Sequence, residues 1–153
     1  MLIISLTTKV VSYLYAFMKQ YPPKIIVAWG EAISGNEKIR DWLMHHGYAE
    51  LAAFSSALNL NDDARVWLMK NGYPELLALV MGAEGDEKAC EWLRSNGYSK
   101  LALMAEGADN NDEAIETLLK QGLKESVMLS MKMRSVKNTI QRDQDDWHTY
   151  STR

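Results

Sequence analysis

Two dipeptides recur along the chain at a fixed step, and that step constrains the fold more than any other feature. Trp-Leu stands at Trp42-Leu43, Trp67-Leu68 and Trp92-Leu93, and Gly-Tyr at Gly47-Tyr48, Gly72-Tyr73 and Gly97-Tyr98. Both ladders advance by 25 residues without insertion. A unit this short cannot bury a core alone, so its copies must stack on one another.

Further columns say what each unit contains. Asn36, Asn61, Asp86 and Asn111 form one, each followed by an acid: Glu37, Asp62, Glu87 and Asp112. Asn and Asp side chains accept from the free amides of a first helical turn, and an acid there suits the positive end of the helix dipole. About ten residues on come Gly47, Gly72, Gly97 and Gly122. Glycine takes the left-handed conformation that closes a helix without a Cβ penalty. The spacing thus predicts helix A over about 37–46 and its equivalents. Helix B follows over about 49–58, with Pro74 at a first-turn position where proline is tolerated and Leu51, Phe54 and Leu58 as its apolar stripe. The fold class is all-α, a solenoid of about five stacked helix–turn–helix units.

The ends depart from the pattern as caps do. Residues 1–33 read as a degenerate first unit, 34–107 as the regular repeats, and 108–142 as a C-terminal cap in which Thr117, Leu123 and Ser126 replace Trp, Tyr and Leu. Leu129, Met133, Val136 and Ile140 extend its second helix. The polar stretch 143–153 shows no periodicity and reads as a frayed tail. In the segment Met1–Met18, Ile3, Leu6, Val10, Leu14 and Phe17 fall at helical spacing, and Lys9 interrupts any long apolar run. That favours an amphipathic helix over a signal or spanning segment.

The run Gly72-Tyr73-Pro74-Glu75-Leu76-Leu77-Ala78-Leu79, then Gly85-Asp86-Glu87 and Trp92-Leu93 to Asn96-Gly97, resembles the helical part of an ankyrin repeat. The resemblance covers about residues 35–123. The unit has 25 residues where ankyrin has ~33, and the Thr-Pro-Leu-His signature is missing. What it implies is an ankyrin-like repeat without β-hairpin fingers, helix B lining the inner side and binding partners there. Short HEAT-like hairpins are the neighbouring alternative.

Net charge is −3, which argues against a general affinity for nucleic acid or anionic membranes. Cys90 is the only cysteine; no internal disulfide or cysteine-based zinc site can form, and a reducing cytoplasm is the expected compartment. No cofactor and no catalytic or metal-binding residue is expected. His45 and His46 are adjacent and so do not face one another on a helix, and no nucleophile elbow or phosphate loop occurs. The Trp ladder reads as core, packed between hairpins, so Trp67→Ala should cost ~3–5 kcal/mol.

Function is expected to lie where the repeat varies. The non-core columns of helix B are Glu50, Ala53 and Ser56, then Glu75, Ala78 and Met81, then Lys100, Leu103 and Glu106. They read as a shallow strip for a protein partner. A nucleic-acid surface on Lys132, Arg134, Lys137 and Arg142 is the first alternative, and a small enzyme with an unrecognised site the second. Weak self-association through the solenoid ends, where Met128, Met131 and Met133 cluster, is the remaining partner class.

Overall fold

A computed structural model describes residues 21–151. The expected helix at 1–18 lies outside the described residues. Among the described residues, each 25-residue unit from Glu37 onward is a helical hairpin. In chain order the helices are α1 (Pro23–Ile33), α2 (Glu37–His45), α3 (Ala49–Leu58), α4 (Asp62–Lys70), α5 (Pro74–Ala83), α6 (Glu87–Ser95), α7 (Ser99–Ala108), α8 (Asp112–Lys120) and α9 (Lys124–Ser151). No strand occurs among the described residues.

The local signals act as their chemistry requires. Asn36, Asn61, Asp86 and Asn111 each accept from the backbone N–H three residues on, at 2.9–3.2 Å. Gly47, Gly72, Gly97 and Gly122 all have positive φ. Behind each, the next N–H reaches back to the carbonyl of Leu43, Leu68, Leu93 or Leu118 at 2.7–3.0 Å, closing the outer helix. The loops between hairpins use a second left-handed column: Gly35, Leu60, Gly85 and Asn110. Glycine and asparagine suit it, whereas Leu60 (φ 68°) carries a cost of ~1–2 kcal/mol there.

The odd-numbered helices form an inner layer and the even-numbered ones an outer layer. Trp29, Phe54, Leu79, Met104 and Leu129 step by 25 along the inner helices, and all are fully buried. The Trp29 and Phe54 rings meet edge to face at 5.1 Å. The stack curves so tightly that its ends meet: α1, α3, α5, α7 and α9 pack in succession, and α9 returns to α1. At this closure Lys132 Nζ lies 3.0 Å from Glu31 Oε1. A Cβ on Gly30 would sit 2.9 Å from Met128 Sδ, so the absent side chain is what lets the two helices approach. Each outer helix covers the seam between two consecutive inner helices, and the outer helices make no close backbone approach to one another.

Two expectations need correction. Leu43, Leu68, Leu93 and Leu118 are fully buried, but Trp42 and Trp92 are 41% and 38% exposed, and Trp67 is half-buried. Neighbouring residues on a helix point ~100° apart, so aiming each Leu at the core turns its Trp onto the flank. Trp67 stacks on Tyr73 (6.0 Å, 8°) and Trp92 on Tyr98 (6.2 Å, 12°), bracing the glycine turn between them. In the first pair of this series Trp42 stacks on His46 instead (4.2 Å, 14°). The stretch from Asp143 is not frayed either: α9 stays helical to Ser151, with the side chains of 141–149 exposed. Its helicity needs no apolar stripe there because it propagates from a packed first half.

Candidate interaction surface

An outer helix covering a seam needs one apolar stripe, facing inward, and Leu43, Leu68, Leu93 and Leu118 provide it. A second apolar column stands beside it: Met44, Met69 and Leu119, with Arg94 in the fourth unit. All three apolar members are about half exposed, Met69 most at 57%. Leu sits between Trp on one flank and Met on the other, so the two columns leave the helix on opposite sides. The repeat preserves orientation. Successive outer helices therefore turn opposite flanks toward one another, with Arg94 interrupting the apolar column on α6. Val66, half exposed, adds to the patch on α4. Several contiguous exposed apolar side chains are unusual for a surface without a partner.

The nine positions expected to form the inner strip range from buried to exposed. Ala53 and Ala78 are buried, Ser56 and Leu103 half-buried, and Met81 is the exposed member. Met128, their column mate in α9, packs where Gly30 of α1 leaves room, so in this tightly curved stack the column serves the seams between inner helices. Glu106 pairs with Arg94 across to α6. Glu50 and Glu75 are buried at the N-terminal mouth of the inner layer, with half-buried Lys100 in the same column.

That mouth is a polar cluster. Tyr21 Oη donates to Glu50 Oε1 at 2.8 Å, and the Tyr21 and Tyr48 rings lie 6.1 Å apart. Burial pushes the Glu75 carboxyl above the usual range, partly offset by its own backbone N–H at the helix start. Burial, then the Glu50 and Glu75 charges, raise the Tyr73 hydroxyl. Burial and Glu75 do the same to Tyr98. Tyr21 is also raised, by burial first and then by Glu50.

The basic stretch of α9 is spent internally. Lys132 meets Glu31, Lys137 meets Asp109, and Arg134 meets Asp112 at 2.8 Å while its Nε donates to Gly107 O at 2.7 Å. The Arg142 guanidinium donates to Thr139 Oγ1. His45 and His46 place Nδ1 2.7 and 2.6 Å from the carbonyls of Asp41 and Trp42, one turn back. No cluster of His, Cys, Asp and Glu suited to a metal ion occurs among the described residues. Cys90 is buried beside Gly82, and burial with the nearby Glu106 raises its thiol. Such a thiol is a poor nucleophile.

The exposed Met column was missed at the sequence level, where the Trp ladder dominated. The signal was present: three apolar residues recur directly after the core Leu, on a face that one inward stripe does not need. No helix of the described residues is long and apolar enough to cross a membrane. No family model, no curated protein and no solved structure matches the chain. Its own geometry therefore defines it as an all-α helical-repeat protein built from 25-residue hairpins.

Proposed function

We propose that this chain is a non-catalytic interaction module that binds another protein across its outer helices. The observation that carries the reading is the exposed Met44, Met69 and Leu119 column facing the exposed Trp flanks. Trp is enriched at binding hot spots, and Met adapts its unbranched side chain to irregular partners. An amphipathic partner helix, which presents one apolar face, is the kind of segment such a surface would take. A finger-less ankyrin-like lineage fits this use of a repeat surface, with the binding face moved from inner to outer helices. The cytoplasm, which keeps a lone buried thiol reduced, is the compartment we assign with it.

The test is a photo-crosslinking residue placed at position 69 in living cells, with the same probe at Lys38 as the control. The reading expects one protein crosslinked from 69 and not from 38, and lost when Met44, Met69 and Leu119 are all changed to Lys in a chain of unchanged helicity. Equal crosslinking from both positions, or full crosslinking in the triple variant, overturns it.

A further inference from the structure

The repeat breaks its own rule at one loop. In the column where Gly35, Gly85 and Asn110 adopt positive φ, the second unit has Leu60 at φ 68°. A glycine would make this turn more easily, and the Leu60 side chain is 50% exposed, so core packing does not explain it. Above it runs the end of α9, which continues past Met133, the column mate of Leu58 and Ala83, as far as Ser151. Trp147 on this overhang is 74% exposed, the most exposed large apolar side chain among the described residues.

Together these elements enclose a groove. One part, of about 390 Å³, is lined by Leu60, Ile140, Gln144 and Trp147; a second of similar volume continues from Leu60 and Ile140 to the inner-helix ends. Leu60, Ile140 and Trp147 supply its apolar surface, and Glu84, Asp109, Asp143 and Asp145, with Lys137 and His148, its polar rim. Glu84 and Asp109 on the rim are already neutralised by Arg65 and Lys137. Asp143 and Asp145 carry no ion pair among the described residues, and the C-terminal ends of α3, α5 and α7, negative by their dipoles, open on the same side. A strained leucine, an exposed tryptophan and uncompensated carboxylates converge on one concavity, away from the outer-helix patch.

We propose that this groove binds a short peptide segment whose large apolar side chain is flanked by lysine or arginine. The apolar group sits between Leu60 and Trp147, and the cations meet Asp143, Asp145 and the helix ends. The proposal stands on residues that the outer-surface reading does not use, so either can fail alone.

The experiment titrates the full chain with a fluorescein-labelled peptide, Lys-Lys-Leu-Leu-Lys-Lys, followed by anisotropy. Two control peptides replace the leucines by serine or the lysines by glutamate. Both controls should bind at least tenfold more weakly, and affinity should fall with added salt. The deciding variant is Leu60→Gly, which relieves the turn: its thermal midpoint should equal or exceed the wild type while peptide affinity drops at least tenfold. Asp143→Asn with Asp145→Asn should weaken the lysine peptide and should not weaken the glutamate control. A Leu60→Gly chain that melts lower, or binds as wild type does, overturns the proposal, as does no binding of the lysine peptide at millimolar concentration. Dimerisation that Leu60→Gly abolishes would identify a second copy as the occupant, and also overturns it.

Discussion

Leu68 and Met69 are adjacent on α4 and alike in volume and hydrophobicity, yet one is fully buried and the other 57% exposed. Truncating each to Ala separates packing from surface. At Leu68 the change deletes three carbons at ~0.8 kcal/mol each by transfer alone. The rigid seam between α3 and α5 cannot fully collapse, so a cavity contribution brings the cost to ~3–5 kcal/mol. At Met69 less than half of a ~1.5–3 kcal/mol side-chain burial is lost. Alanine's better helix propensity recovers part of that, leaving ~0.5 kcal/mol or less. Urea unfolding followed by far-ultraviolet circular dichroism reads the two differences. In thermal melts, a chain of this size should shift ~6–20 °C for Leu68→Ala and under ~2 °C for Met69→Ala. Equal losses at the two positions would refute the assignment of Leu to the core and Met to the surface, and with it the proposed binding face.

Trp92→Ala should cost ~2 kcal/mol, since the ring is partly exposed and its main specific contact is the Tyr98 stack; a loss above ~4 kcal/mol in urea unfolding would restore the fully buried reading. Gly107→Ala should cost ~1–3 kcal/mol by overpacking, because its Cβ would fall 2.5 Å from Ile115 Cδ1 and 2.6 Å from Ser130 Oγ, which is held by its bond to Met104 O; an unchanged urea midpoint would contradict the close approach of α7 and α9. Glu75, set among Glu50, Tyr73 and Tyr98, is held above its unfolded range, so the folded chain keeps a proton that the unfolded chain releases. Its contribution to stability therefore falls as pH rises through that window and is fully unfavourable above it. Glu75→Gln should accordingly melt higher than the wild type at pH 7, with the gap closing as pH drops below ~4.3; a lower melting point at pH 7, or a gap that ignores pH, would show that the carboxylate is stabilised where it sits.

The sequence by itself determined the hairpin: where each helix begins, which glycine ends it, and that 25 residues make one unit. Those are local effects. Asn36 needs only the amide of Ile39, and Gly72 needs only its own φ, so short-range chemistry suffices. That helix B lies on the inner side was implied only by the resemblance to an ankyrin repeat. Tertiary structure decided the rest, for a physical reason visible at Gly30. The small rotation between successive hairpins accumulates over the stack, and no single unit encodes whether the fifth meets the first. With α9 packed on α1 at Gly30, Ala53 and Ala78 are buried, while Ser56, Met81 and Leu103 keep part of their surface. The same closure engages the α9 cations with Glu31, Asp109 and Asp112. Surface is then left to the flanks of the outer helices and to the overhang above Leu60. In a repeat of identical local rules, curvature sorts core from surface.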